Sequence, residues 1–256
     1  MEKIELSDQP ELRLKQLRDL DEKQQELLWN IVTENVPISP WPYGMPASAA
    51  PHVVLLGVSP GNGLDGEDTL RKKWDNKPTI GILDKGFLFP DKRNYWSKAS
   101  DLCVSLVQRD APHLDRLDAL ALSAHLNLGT GQNGVAGDAA IEPDIVKWVS
   151  ILLHSKFNAK ILVCFGLWGI MSKSHNNELW NSSGGLPVDW KSPDDAVSFG
   201  NLSFRLWKTK RQDGSPMAVV MWPNHPSRVP FAGGPESAMW QKAKQKVDKL
   251  LKKHKF

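Results

Sequence analysis

Cysteine is scarce in this sequence, with two residues among 256. Two thiols cannot supply a Cys-rich metal site or a four-cysteine iron–sulfur cluster. Cys103 falls in a predicted helix, and Cys164 falls in a short apolar predicted strand. Both are therefore expected to be buried free thiols, and the sequence predicts no metal or other cofactor.

Long apolar runs are also absent. No hydrophobic run reaches the ~18 residues of a membrane-spanning helix. The N-terminal segment MEKIELSDQPELRLKQ carries charges where a signal peptide needs an apolar stretch. We therefore expect a soluble, cytoplasmic protein with no membrane partner.

A large excess of charge of either sign is absent too, since the net charge is +3. This value does not identify a polyanion-binding protein, so the distribution of charge matters more than its sum. The last residues, QKAKQKVDKLLKKHKF, are locally basic and predict an amphipathic helix with Val247, Leu250 and Leu251 packed inward.

Nothing in the sequence marks a boundary between two domains. There is no internal repeat and no linker long enough to separate two units, and 41% of the residues are hydrophobic, enough for a substantial core. We predict one domain over residues 1–256, with an amphipathic helical extension over about residues 1–50.

What the sequence does contain is an alternation of apolar strands and amphipathic helices. Such an alternation predicts an α/β fold whose parallel sheet is covered on both faces. The predicted strands are HVVLLGV, DALALSAHLNLG and AKILVCFG, followed by the hairpin pair LSFRLWKTK and MAVVMWP, and the predicted helices are NYWSKASDLCVSLVQR and EPDIVKWVSILLHSKF.

Polar loops follow four of these strands. In a parallel sheet, ligands bind where the strands end at their carboxyl edge. The loops are SPGNGLDG, NLGTGQNG, GLWG and NHPSR. The candidate functional residues in them are Ser59, Asn62, Asp65, Asn127, Asn224, His225, Ser227 and Arg228.

The first loop contains G-x-S-x-G at residues 57–61, the pattern of a hydrolase nucleophile elbow. In an elbow the residue after the serine donates its backbone N–H to the oxyanion. Here that residue is Pro60, which has no N–H. Loss of an oxyanion donor costs about 2.7–4 kcal/mol of transition-state stabilisation. The pattern therefore does not predict that Ser59 is an esterase nucleophile.

Four features occur in the order used by the uracil-DNA glycosylase superfamily: a strand followed by G-V-S-P-G-N, a strand ending in Asn127, the strand LVCFG, and NHPSR near the end. The sequence resembles that superfamily over about residues 51–228, in a branch without an iron–sulfur cluster. The resemblance implies a three-layer α/β/α sandwich with a central, mainly parallel four-stranded sheet. It also implies an enzyme that flips a base out of double- or single-stranded DNA, without a cofactor or an obligate protein partner.

The resemblance assigns catalytic roles to two of the loops. The residue that activates water stands at the third or the sixth position of the first motif, here Ser59 and Asn62. Neither is a carboxylate, so either Asn62 positions the water or Asp65 reaches in, and we favour Asn62. His225 resembles the histidine that donates a hydrogen bond to the departing base oxygen.

Other residues are assigned to the base. The first-motif residues Gly57, Val58, Pro60 and Gly61 would line the pocket. Asn127 resembles the asparagine that reads the base edge, because a carboxamide both donates and accepts. His125 lies two residues earlier on the same face of an extended segment and is either a pocket or a core residue. Phe87 or Phe89 resembles the ring that stacks on the base, and the other is expected in the core.

A third group is assigned to the DNA backbone. Ser227 and Arg228 would lie against the backbone gap, with Val229 or Phe231 as an apolar wedge in the unstacked step. The basic C-terminal helix and the hairpin cations are candidate phosphate contacts. The hairpin cations are Lys208, Lys210 and Arg211.

The substrate is suggested by Gly61, the fifth residue of the first motif. Strict uracil enzymes of the superfamily carry a tyrosine there that blocks substituents on C5 of the pyrimidine. Glycine favours a 5-substituted pyrimidine, such as hydroxymethylcytosine or its glucosylated form, excised from phage DNA in antiviral defence. Two alternatives stay open: base-excision repair of uracil or other deaminated bases, and a catalytically inactive DNA-binding module.

Overall fold

The computed structural model describes residues 51–58, 95–128, 141, 143–155, 157–226, 228–231 and 233–256. These residues form an α/β fold on one six-stranded sheet. The strands are β1 (Val53–Gly57), β2 (Ser123–Asn127), β3 (Ile161–Phe165), β4 (Asp195–Phe199), β5 (Leu202–Lys210) and β6 (Pro216–Trp222). The helices are α1 (Tyr95–Asp110), α2 (Arg116–Ala121), α3 (Pro143–Ser155), α4 (Trp168–Met171), α5 (Ser174–Ser182) and α6 (Ala238–Lys253). The predicted extension over residues 1–50 lies outside the described residues.

The strand order is β2-β1-β3-β6-β5-β4. The first four strands are parallel, whereas β5 is antiparallel to both β6 and β4. An α/β fold with a central sheet is therefore confirmed. The expectation of four strands is wrong, because the sheet has six. The sheet is mixed, with three parallel and two antiparallel strand pairings.

The strand that the sequence did not reveal is β4. Its residues alternate between half-buried and exposed, so DAVSF lacks the continuous apolar run that identified the inner strands. A two-residue turn, Gly200-Asn201, joins it to β5, and Gly200 has a φ of +62°. Gly-Asn between two extended segments is a hairpin signal, since glycine tolerates positive φ.

The second predicted strand is wrong in its first half. Residues 116–121 form α2, and only Ser123–Asn127 is extended. Asp115 caps this helix, because its side chain accepts a hydrogen bond of 2.8 Å from the backbone N–H of Asp118. This cap stabilises one helical turn within a segment whose composition also suits a strand.

Side chains on both faces of the inner strands are buried, since all five residues of β3 and the first four of β1 are buried. Both faces of the sheet are therefore covered, as the apolar runs predicted. Cys103 and Cys164 are confirmed as buried free thiols. Burial raises the pKa of Cys103 to about 12, and it raises the pKa of Cys164 further still.

An aromatic cluster joins the end of β6 to α6. The Trp222 ring lies 4.7 Å from that of Trp240 and 5.4 Å from that of Phe231, measured between ring centres. Ser237 caps α6 by accepting a hydrogen bond from the backbone N–H of Trp240. Val247, Leu250 and Leu251 are buried, as the amphipathic pattern predicted. The helix thus holds the end of β6 and the residues after it against the core.

No helix in the described part of the chain is long and apolar enough to cross a membrane.

The buried position of Phe231 predicts a large stability effect. We expect Phe231→Ala to lower the free energy of unfolding by about 3–5 kcal/mol, because it leaves a cavity in the aromatic cluster. Val229, two residues earlier, is 77% exposed and provides the control. Val229→Ala should change the free energy by less than about 0.5 kcal/mol. Urea unfolding measures both, and equal effects would contradict this assignment.

Candidate functional site

The carboxyl ends of the four parallel strands meet at one edge of the sheet. Gly57 pairs with Asn127, and Phe165 pairs with Trp222. The polar loops predicted from the sequence therefore all begin at this edge. Val58, the next residue after β1, is half-buried against the core.

Several predicted site residues cannot be placed. Those outside the described residues are Ser59, Pro60, Gly61, Asn62, Asp65, Phe87, Phe89 and Ser227. The backbone of Asn127 ends β2 at the expected edge, whereas its side chain is outside the description. The described candidates at the carboxyl edge lie at the ends of β1 and β2 and after β6.

A close approach of two backbones sets the position of His225. Gly166, directly after β3, has a φ of +64°, and a Cβ there would lie 3.2 Å from the backbone nitrogen of His225. Only glycine fits this conformation and spacing without strain. The Asn224 side chain accepts a hydrogen bond of 2.9 Å from the His225 N–H and donates one of 2.9 Å to the Val229 carbonyl. The loop after β6 is thus closed upon itself.

Tyr95, the first residue of α1, connects two histidines of the site. Its ring stacks on the His225 imidazole, with 5.0 Å between ring centres and 18° between planes. Its hydroxyl is hydrogen-bonded to Nε2 of His125, which is buried on β2. The structure thus brings His125 and His225 to the same tyrosine, and Tyr95 keeps the two rings in a fixed relation.

Lys98, one helical turn after Tyr95, fixes the loop that carries His225. Its side chain is almost completely buried, and its ammonium donates hydrogen bonds to the carbonyls of Pro226 and Phe231. Burial lowers the pKa of Lys98, while Glu236 opposes the shift. These two hydrogen bonds tie both ends of the 226–231 segment to α1.

The surroundings of His225 favour its neutral form. Burial is the largest cause, and the positive charges of Arg228 and Lys98 act in the same direction, so the pKa of His225 falls to about 4. A neutral imidazole carries one N–H donor and one acceptor nitrogen. At neutral pH His225 can therefore donate a hydrogen bond without being a cation.

The residues that follow His225 in the sequence and were predicted to contact DNA fall into an exposed group and a buried one. Arg228 and Val229 are exposed at the surface next to the His225 loop. Phe231 is fully buried, and its ring packs against Phe199 and Trp222. A wedge role for Phe231 is therefore wrong, because inserting it into DNA would require unpacking the core. Of the two candidates, Val229 is the one at the surface.

The hairpin cations do not lie with His225. Lys208 pairs with Ala218 and Lys210 with Pro216, the first residue of β6, so both are near the opposite edge of the sheet. Strand geometry puts Lys210 about 20 Å from the end of β6. Arg211 is buried, and its guanidinium donates a hydrogen bond of 3.1 Å to the Phe157 carbonyl. Lys208 and Lys210 thus lie away from His225, and their contact with DNA phosphates stays a prediction. The buried Arg211 is instead hydrogen-bonded within the protein.

Sequence reasoning missed Tyr95, Lys98 and Gly166 as site residues. Tyr95 is one of only two tyrosines in the chain, and Lys98 follows it at helical spacing. That spacing puts both on one face of α1, which is a usable signal. Their partners lie about 130 residues away in sequence, from Lys98 to Pro226 and Phe231, so the contacts themselves could not be predicted.

Within the described residues, no group of three or more His, Cys, Asp or Glu side chains is arranged to hold a metal ion. In comparisons with known proteins, no protein-family model, no curated protein and no solved structure matches this chain.

The Tyr95 ring is expected to control the protonation of His225. Tyr95→Ala exposes the imidazole to water, so the pKa of His225 should rise from about 4 toward its usual 6.5. Tyr95→Phe keeps the ring and should leave the pKa near 4. An NMR titration of the imidazole protons, with the signal assigned by His225→Gln, measures this. If the alanine and phenylalanine variants titrate alike, the ring is not the cause.

The depressed pKa of His225 also predicts acid sensitivity. The unfolded chain binds this proton near pH 6.5 and the folded chain near pH 4, so stability falls as the pH drops through that range. The loss attributable to His225 is on the order of 2–3 kcal/mol. His225→Gln should remove this part of the pH dependence in urea unfolding at pH 7 and pH 4. If the free energy of unfolding falls by the same amount between pH 7 and pH 4 in His225→Gln and in the wild type, the assignment is ruled out.

Proposed function

We propose that this protein is a monofunctional DNA glycosylase, which flips a modified base out of the DNA stack and hydrolyses its N-glycosidic bond. The observation that carries the proposal is a neutral histidine at the carboxyl edge of the sheet. His225 follows β6, stacks on Tyr95 and has a pKa lowered to about 4. Its N–H can donate a hydrogen bond to the oxygen of a base that departs with negative charge.

The proposed reaction is a hydrolysis. The bond between C1′ of the deoxyribose and the base nitrogen breaks, and the electron pair leaves with the base. A bond forms between C1′ and the oxygen of a water molecule, whose proton passes through solvent to the departed base anion, and an abasic site results. The sugar passes through an oxocarbenium-like state. We assign the water to Asn62, with Ser59 and Asp65 as the alternatives, and the departing base to His225.

Asn127 and His125 are proposed to line the base pocket. Both lie on β2, which ends beside β1 at the same edge as His225. A hydrogen bond between His125 and Tyr95 connects this side of the pocket to the His225 side. The resemblance to the uracil-DNA glycosylase superfamily implies a three-layer α/β/α sandwich, and we propose that layering here.

Arg228 and Val229 are proposed to contact the DNA at the flipped nucleotide. Both are exposed, and the backbone N–H of Arg228 is hydrogen-bonded to the His225 carbonyl at 2.9 Å. A side chain so close to the departing base would lie where the duplex is opened. An apolar side chain such as Val229 fills an unstacked step, and a guanidinium such as Arg228 binds a phosphate.

The proposed substrate is a 5-substituted pyrimidine, such as hydroxymethylcytosine or its glucosylated form in phage DNA. The glycine at position 61 has no side chain that could exclude the substituent, whereas a tyrosine there would. Excision of that base would disable incoming phage DNA, which makes the protein an antiviral enzyme acting in the cytoplasm.

The test is a panel of DNAs carrying uracil, hydroxymethyluracil, hydroxymethylcytosine or glucosylated cytosine, scored for alkali-sensitive sites. We expect cleavage at one or both modified cytosines. His225→Ala should lower the single-turnover rate by about 10²–10³-fold, because a donor to the departing base is lost. Asn62→Ala should also abolish most activity. The exposed His113 supplies the matched control, and His113→Ala should react at the wild-type rate.

The panel also separates the alternatives. Cleavage of uracil alone would favour a repair enzyme and would overturn the proposed substrate. If every DNA is bound and none is cut, the protein is a DNA-binding module and the enzymatic proposal fails. DNA binding by the His225→Ala and Asn62→Ala variants must equal that of the wild type for the rates to be interpreted.

A further inference from the structure

A cation on β5 stacks on a tryptophan next to the candidate site. The guanidinium carbon of Arg205 lies 3.9 Å from the centre of the Trp168 ring. Trp168, the first residue of α4, is half-buried, and its ring centre lies 6.0 Å from that of Trp207. This contact holds the long arginine side chain in one orientation.

The charge of Arg205 is not balanced within the described part of the chain. No carboxylate there lies within ion-pair distance of it, and its hydrogen bonding is limited to one contact of 3.5 Å with the Ser203 carbonyl. Partial burial lowers the pKa of Arg205 without any opposing negative group. A guanidinium has five N–H donors, and stacking occupies its face rather than its edge. Arg205 therefore presents donors for an anion that the described part of the chain does not supply.

Arg205 and Trp168 lie at the same edge of the sheet as His225. Arg205 pairs with Met221, one residue before the end of β6. Trp168 is two residues after Gly166, so its Cα lies within about 7 Å of the Gly166 Cα. Gly166 in turn approaches the His225 backbone closely. Phe204, the neighbour of Arg205, packs on Trp222. The Trp222 ring contacts Phe165, which in turn contacts the Tyr95 ring. The guanidinium therefore lies on the other face of the sheet from Phe165 and the Tyr95 ring. A DNA strand held at His225 would meet the guanidinium by crossing this edge.

We infer that Arg205, held against Trp168, binds a backbone phosphate of the DNA strand that carries the flipped base. This inference rests on the proposed function, because it takes DNA as the ligand. The planar fork of arginine matches two phosphate oxygens. Its orientation is already fixed by the tryptophan, so little conformational freedom is lost on binding.

The first test is DNA binding measured by fluorescence anisotropy at several salt concentrations. Arg205→Met keeps the aliphatic stem on Trp168 and removes the charge. We expect its affinity to fall about tenfold and the slope of log affinity against log salt to decrease by about 0.7–0.9, the value for one phosphate contact. Arg205→Lys, which keeps the charge without the fork, should give an intermediate affinity.

Trp168→Leu and Lys160→Met complete the set. Trp168→Leu should weaken binding, because Arg205 loses its orientation. Lys160 is an exposed cation immediately before β3, at the opposite edge of the sheet. Lys160→Met therefore matches the loss of one charge and should leave affinity and slope unchanged. Thermal unfolding of each variant verifies that the fold is retained.

The second test identifies the phosphate. Neutral methylphosphonates are placed one at a time along the strand around the modified base. One position should weaken wild-type binding about tenfold and have no effect on Arg205→Met, because the same contact is already lost. If every methylphosphonate weakens DNA binding by the wild type and by Arg205→Met to the same extent, no phosphate depends on Arg205. Arg205 then has a structural role only, and the inference is overturned. It is also overturned if Arg205→Met and Lys160→Met bind alike.

The outcome is separate from that of the proposed reaction, because binding is measured without base excision. One result is that a single methylphosphonate weakens the wild type but not Arg205→Met, and that no base in the panel is cut. The phosphate site then stands and the glycosylase proposal fails. The opposite result is that bases are cut and every methylphosphonate affects both proteins equally. The glycosylase proposal then stands and the phosphate site fails.

Discussion

A buried ammonium holds the candidate site together. Lys98 donates hydrogen bonds to the carbonyls of Pro226 and Phe231, which lie more than 120 residues away in sequence. Burying a cation is costly unless it is well hydrogen-bonded, and here two carbonyls and the nearby Trp240 ring compensate. The charge then also acts on His225 and helps to keep that histidine neutral. One side chain thus ties the loop to α1 and adds to the effects of burial and Arg228 that keep His225 neutral.

The sequence predicted the interior of the fold well, because burial on both faces leaves a clear signal. β1, β3 and β6 appear as unbroken apolar runs, and α1 and α3 as amphipathic patterns. The errors lie where the signal is ambiguous. The helix α2 depends on one cap, Asp115, and β4 is a half-exposed edge strand whose pairing with β5 depends on a short turn.

For the candidate site, the sequence predicted the edge of the sheet and two of its histidines. The structure brings His125 and His225 to the same tyrosine, whereas the sequence left His125 open between a pocket and a core position. The sequence did not reveal that Tyr95 joins them or that Lys98 fixes the loop, because neither contact is local. It also could not distinguish Val229 from Phe231, since both are apolar residues of one short loop. Only packing against Trp222 separates the buried ring from the exposed side chain.

The position of β6 has a consequence for how the protein is made. It is the last strand of the sheet in the sequence, and it lies between β3 and β5. During synthesis on the ribosome, β1, β2, β3 and the β4–β5 hairpin emerge before β6, the strand that joins them. The two parts of the sheet can unite only after residue 222 has left the exit tunnel. The His225 loop follows immediately, so closure of the sheet and assembly of the site occur as nearly the same late step.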